Sequence, residues 1–270
     1  MGKNTDISWT DSTWNVARGC TKVSDGCKFC YMMRDGDRFG YDGKVVTKTK
    51  TVFNFPLKYK ETKSMAWNGR PLIFTSSLTD VFHKDIDSFR HEIWDIIRKC
   101  PHLIFQILTK RPERIKKHLP TDWGEGWDNV WIGTSAENQE VLNERMEYMF
   151  EIKAKVKFLS IEPILSPINL GIPKFSIGED LYIRLKDDID WIIIGGESGN
   201  NSGEWKARPA QLKWFEDIVV QCATNDIPVF VKQLGTCLAK ELEEITNRHG
   251  SDINEFPNIL KIREFPKNRR

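Results

Sequence analysis

No run of apolar residues in this 270-residue chain reaches the length of a membrane-spanning helix, so no helical membrane anchor is expected. Met1-Gly-Lys-Asn-Thr-Asp6 has no apolar core of the signal-peptide kind, and the expected compartment is the cytoplasm, where thiols stay reduced. Charge of neither sign prevails: 40 Lys and Arg stand against 38 Asp and Glu, and a net charge of +2 neither demands nor excludes a nucleic-acid partner. The five histidines show no metal-ligand spacing, and no Ser/His/Asp arrangement is legible. His83 is the histidine closest to a candidate site, and a capping role suits it. Cys100, Cys222 and Cys237 are scattered, which argues against a disulfide framework. No Gly/Ser/Pro linker divides the chain, so residues 1–236 read as one domain and 237–270 as its C-terminal appendage.

What is present begins at Arg18-Gly-Cys20. Cys20, Cys27 and Cys30 fall in one short stretch, separated by six residues and then by two. Thiolates are soft ligands, and cysteines this close converge on one metal or one redox site. A structural zinc needs four closed ligands, and the second pair is missing here. Three thiolates can instead hold a four-iron cluster while leaving one iron open to a small molecule. Zinc and plain thiols stay open as alternatives. Gly19 and Gly26 give the loop backbone freedom, and Phe29 and Tyr31 flank its last cysteine with aromatic surface.

From residue 71 the chain becomes rhythmic. Apolar runs at 71–75, 103–108, 130–133, 157–161, 191–194 and 228–231 read as strands, and Trp14–Arg18 as a first strand before the cysteines. Helical spacing appears over 86–97, near Pro112, over 138–150 and over 210–223. Alternation of this kind predicts an α/β fold, a partial parallel (β/α) barrel of about six to seven units. Residues 166–189 interrupt it as an insertion. Lys44 to Phe55 alternates enough for a strand or ribbon. Six lysines between 44 and 63, interleaved with Phe53, Phe55 and Tyr59, form either a solvated edge or a nucleic-acid contact.

Polar residues follow each apolar run: Ser76, Ser77 and Asp80; Thr109, Lys110 and Arg111; Thr134, Ser135 and Glu137; Ser160 and Glu162; Glu197 and Ser198; Lys232 and Gln233. In parallel α/β barrels such positions ring the pocket mouth. Gly195-Gly-Glu-Ser-Gly199 has neither a P-loop lysine nor the dinucleotide glycine pattern, so phosphate binding is a weak reading of it.

With its aromatic before the last of three clustered cysteines, the chain resembles the radical S-adenosylmethionine (SAM) superfamily. The usual spacing there is three then two; the six-residue gap is similar to one phage- and prophage-borne family within it. Ile7-Ser-Trp-Thr-Asp11, Thr13-Trp-Asn15, Phe74 to Asp80, Leu108 to Pro112, Val130 to Asn138, Ser160 to Pro163, Gly195 to Gly199, Ala207-Arg-Pro209 and Phe230 to Gly235 carry the same resemblance. It implies a [4Fe-4S] cluster on Cys20, Cys27 and Cys30, with SAM on the open iron. An external one-electron reductant of flavodoxin or ferredoxin type would lead to a 5′-deoxyadenosyl radical that abstracts hydrogen. It further implies SAM contacts from Phe29, Ser76, Ser77, Asp80, Lys110, Arg111, Ser135 and Glu137, and places Glu162, Glu197 and Lys232 as catalytic candidates. The implied substrate is DNA or a modified nucleotide, such as an amino-acid-decorated thymine undergoing rearrangement. Lesion repair resembling spore photoproduct lyase is an alternative, and a zinc-stabilised phage binding module is a non-catalytic one.

Overall fold

The computed structural model describes residues 5–60, 67, 69–171, 175–176, 182–183 and 185–267. Lys63, residues 268–270 of the basic tail, and 172–174, 177–181 and 184 of the expected insertion lie outside them. The chain divides into two compact units, each drawn from separate stretches of sequence. The first comprises residues 1–23, 30–134 and 151–156; the second comprises 24–29, 135–150 and 157–270.

In the first unit, strand β1 (Ser12–Thr13) precedes β2 (Ala17–Arg18). The single early strand expected over Trp14–Arg18 is thus split. Trp14 turns inward, its indole N–H donating to the Phe53 carbonyl at 2.9 Å, and the Asn15 side chain is held by the Leu78 backbone. Helix α1 (Tyr31–Phe39) follows the cysteine stretch. Strand β3 (Thr47–Lys48) pairs antiparallel with β2, all that forms of the ribbon expected over 44–55. Burial of Phe53 and Tyr59 draws the rest out of extended pairing. Then come β4 (Leu72–Thr75), α2 (Arg90–Lys99), β5 (Ile104–Thr109), the short α3 (Ile115–His118) and β6 (Val130–Ser135). The α-helix expected from Ile86 begins four residues later. Lys84–Ile86 forms a tighter 3-10 turn, capped where His83 Nδ1 accepts from the Asp85 N–H.

The second unit carries α4 (Gln139–Met149), β7 (Val156–Ile161), β8 (Phe175–Ser176), β9 (Tyr182–Ile183), α5 (Leu185–Asp188), β10 (Trp191–Gly195), α6 (Leu212–Asn225), β11 (Val229–Gln233) and α7 (Thr236–Glu241). Helix α4 starts where the Asn138 side chain accepts from the Val141 N–H, an N-cap. Helix α6 stops at Asp226, whose φ of 57° is left-handed.

The sheet order is β1-β4-β5-β6-β7-β10-β11, seven strands in the order in which they occur in the chain. An order with no reversal is the singly wound connectivity of parallel (β/α) barrels rather than of doubly wound sheets. Strands such as Leu72–Thr75 and Trp191–Gly195 are buried throughout, as parallel strands covered on both faces must be. No helix among the described residues is long and apolar enough to cross a membrane.

Candidate functional site

In the first unit, the turn after β4 is built around the segment that delivers Cys20. Ser76 Oγ donates to the Trp14 carbonyl at 3.1 Å and accepts from the Val16 N–H at 3.2 Å. Ser77 Oγ donates to the Asn15 side chain at 3.2 Å, and its carbonyl accepts from the Tyr31 hydroxyl. Thr79 Oγ1 donates to the Gly19 carbonyl at 2.6 Å, while the Gly19 N–H donates to Leu78. Gly19 has a φ of 106°, and a Cβ there would strike the Val45 carbonyl, so glycine is required at this approach to Cys20. Ser76 and Ser77, expected at the SAM ammonium, thus clasp the entry to the cysteine loop.

Asp80 and Arg111 form a buried ion pair at 2.9 Å in the same unit. Asp80 also accepts from Thr109 Oγ1 at 2.7 Å, from the Phe82 N–H at 2.9 Å and from the Lys110 N–H at 3.0 Å. Lys110 enters the cluster through its backbone. Arg111 donates from one terminal nitrogen to Asp80 and towards Cys20 Sγ at 3.5 Å, and from the other to the Thr21 carbonyl and hydroxyl at 2.8 and 2.9 Å. Burial alone would lower the Arg111 pKa; Asp80 and then Cys20 outweigh it and hold the guanidinium above its ordinary value. Thr21 Oγ1 lies 3.0 Å from His83 Nε2, and burial followed by the Arg111 charge pushes His83 below the usual imidazole value.

The second unit holds the middle of the loop, residues 24–29. Glu137 is fully buried and accepts from the Gly26 N–H at 2.8 Å. A Cβ on Gly26 would come within 3.0 Å of that carboxylate, so the glycine lets the backbone reach it. Arg145, one face further along α4, reaches Glu137 at 3.5 Å, the Ser135 carbonyl at 2.8 Å and Ser24 Oγ at 2.8 Å. Glu137 and Ser135, expected at the ribose, are joined here through Arg145. Phe29 meets Trp205 edge-on at 6.4 Å, with the Lys28 and Arg208 cations each 5.3 Å from its ring centre.

At the strand ends of this unit, Lys232 Nζ lies 3.0 Å from Glu162 Oε1. That oxygen takes no aligned hydrogen bond, so the contact is ionic; Ser160 Oγ donates to the other oxygen at 3.1 Å. Gly195 sits against Glu162, where a Cβ would collide with the carboxylate. Glu197 is held apart from this pair in bonding terms. Arg208 grips it from its backbone N–H at 2.8 Å, from Nε at 3.0 Å and from a terminal nitrogen at 2.5 Å.

All six cysteines are thiols rather than disulfides. Cys20, Cys27 and Cys30 are half-exposed, and Cys30 caps α1, whose N-terminal dipole favours a negative sulfur. Burial pushes up the Cys100 thiol, and burial with a smaller push from Glu264 takes Cys222 up to about 12; both are chemically quiet. Cys237 is half-exposed and donates to the Ala207 carbonyl at 3.0 Å. No three His, Cys, Asp or Glu side chains among the described residues are already gathered as a metal site. The donor set still fits an iron–sulfur cluster in kind and number: three accessible thiols in eleven residues, one with a guanidinium N–H turned to its sulfur.

Arg145, Arg208, Trp205 and Thr21 were not legible as site residues. Arg208 lies in the Ala207-Arg-Pro209 stretch, which gave no hint of its Glu197 partner eleven residues earlier. Lys48, counted in the basic patch, is committed elsewhere in the first unit. Its ammonium pairs with Glu92 at 2.5 Å and lies over the Phe53 and Phe89 rings at 4.2 and 5.2 Å. No curated protein and no solved structure matches the chain. A family model described as "Protein of unknown function (DUF5131)" matches residues 4–256, and the chain belongs to that family.

Proposed function

We propose that the protein is a radical-SAM enzyme whose Cys20, Cys27 and Cys30 hold a [4Fe-4S] cluster, with SAM on the open iron and an external flavodoxin- or ferredoxin-like protein as electron donor. The observation that carries the reading is the contrast among the thiols. Three half-exposed cysteines share one loop, and that loop is tied down at Thr21 by Arg111 and at Gly26 by Glu137, while Cys100 and Cys222 are sealed in the core. When bound, such a cluster with SAM supplies one-electron cleavage and a radical able to take an unactivated hydrogen.

The chain's own residues orient and enclose. Ser76, Ser77 and Thr79 fix the strand entering the loop, and Glu137 with Arg145 fixes its middle. Glu162 and Lys232, an ion pair at the ends of β7 and β11 with the Lys and Glu side chains 26% and 14% exposed respectively, are the proposed catalytic groups. A base in DNA or a modified nucleotide is the proposed substrate. Its support is the half-exposed Phe29–Trp205 aromatic pair with the Lys28 and Arg208 cations beside it, the aromatic and basic groups that nucleic-acid contacts combine. Anaerobic purification tests the reading: about four irons and four sulfides per chain are expected. One zinc per chain would establish a zinc-stabilised module instead, and a chain that takes up neither metal would remove the cluster.

A further inference from the structure

We infer that Arg111 is a positioning residue of the cluster loop: it fixes Cys20 and Thr21 and, by bringing a buried cation to the Cys20 sulfur, makes the bound cluster easier to reduce. This rests on the proposed function. The geometry separates Arg111 from the carboxylate-binding role that its sequence position suggests. Four of its N–H directions are taken within the chain, by Asp80 Oδ2, Cys20 Sγ, the Thr21 carbonyl and the Thr21 hydroxyl. Its backbone N–H is taken as well, by Thr109 Oγ1 at 2.9 Å. Asp80, which anchors the guanidinium, is itself fixed by Thr109, Phe82 and Lys110, so neither partner can swing towards a ligand without breaking several bonds. The arrangement is a relay of position from the ends of β4 and β5 to the first cysteine.

Reduction adds negative charge to a cluster and its sulfurs. Hydrogen bonds to the sulfurs and nearby positive charge therefore favour the reduced form. Asp80 partly offsets that cation, so the two ends of the pair act on the potential with opposite sign. Lysine cannot stand in for arginine, since one ammonium cannot reach Asp80, Cys20 and Thr21 together.

The test uses the full chain, reconstituted anaerobically with iron and sulfide, as wild type, Arg111→Gln, Arg111→Lys and Asp80→Asn. Iron and sulfide per chain are measured first, then the midpoint by an EPR-monitored redox titration. Arg111→Gln is expected to lower the reduction equilibrium constant about tenfold, a midpoint lower by about 59 mV for one electron. Asp80→Asn is expected to raise the midpoint. In the metal-free chains, hydrogen exchange over residues 18–23 should quicken in both Arg111 variants. An unmoved midpoint in a fully loaded Arg111→Gln protein, or shifts of one sign in both variants, overturns the inference while leaving the cluster standing. Should Arg111→Gln fail to load, a fallen or unchanged midpoint in Asp80→Asn overturns it equally. A wild-type chain without iron removes the function and this inference together, and the iron assay reports that separately.

Discussion

At the scale of single residues, the cysteine loop is defined by what holds each part of it. Changing Cys20, Cys27 or Cys30 to Ala should abolish cluster absorbance and SAM cleavage, whereas Cys100, Cys222 and Cys237 to Ala should keep full iron content. Full iron in Cys27→Ala would sink the ligand assignment. Glu137→Ala should do more than loosen the loop, because it removes the carboxylate beside the buried Arg145 cation. Breaking such a pair costs about 3–5 kcal/mol, readable as a lowered urea midpoint. Gly26→Ala should lower iron uptake with a smaller loss of stability, since its new methyl presses on the Glu137 carboxylate at 3.0 Å without removing it. His83 supplies the pH dependence. Its folded pKa lies below the unfolded value near 6.5, so its contribution is intact above that value and lost as pH falls through the folded pKa. Stability measured from pH 7.5 down to 5 should fall, and His83→Gln should flatten the slope; an unchanged slope would assign it to other groups, His118 foremost.

At the scale of elements, the parallel strands were legible because burial on both faces leaves continuous apolar runs such as Trp191-Ile-Ile-Ile194. Helix α1 was not. Gly36 and the polar run Arg34-Asp-Gly-Asp-Arg38 mask its apolar face, whose buried members are only Met32 and Met33 beside Gly36. The site divides in the same way. Candidate site residues could be named from strand ends, but their partners could not, because Asp80–Arg111 and Glu197–Arg208 are set by tertiary approach. The signatures that resemble SAM contacts turned out to be engaged by the chain itself at Ser76, Ser77 and Asp80. Lys48 is the plainest case of a solvated-looking charge given structural work. Lys48→Met should lower stability by about 1 kcal/mol through the lost ring and Glu92 contacts, against less than about 0.5 kcal/mol for Lys50→Gln. Equal effects in thermal melts would show that the β2–β3 ribbon does not depend on that cation.

At the scale of the whole molecule, near-neutral charge leaves little long-range pull on a nucleic acid, so any DNA binding must come from local groups. With Lys48 committed, Lys44, Lys50, Lys58 and Lys60 are the exposed lysines of the basic segment among the described residues, and Lys50 and Lys58 are the pair to neutralise. Neutralising both should weaken binding to every sequence alike and reduce the salt slope by up to ~0.9 per lost contact on duplex. Single-stranded or mismatched DNA should bind more readily than matched duplex, since extruding a base costs a few kcal/mol. Fluorescence anisotropy at two salt concentrations reads both effects. A double variant that titrates like wild type would move the contact off this segment, and absent binding would favour a free nucleotide as substrate.

The half-exposure of the three loop thiols has a consequence outside any reaction. A thiol that can be reached by iron can be reached by peroxide, and accessible cysteines are the first to become sulfenic acids and then mixed disulfides. Cys100 and Cys222, sealed and poorly acidic, will outlast them. Cys237 is reachable too, but burial raises its pKa, so a stock of this protein left on the bench ages most at the loop, and a mass spectrum of its oxidised peptides is largely a map of it.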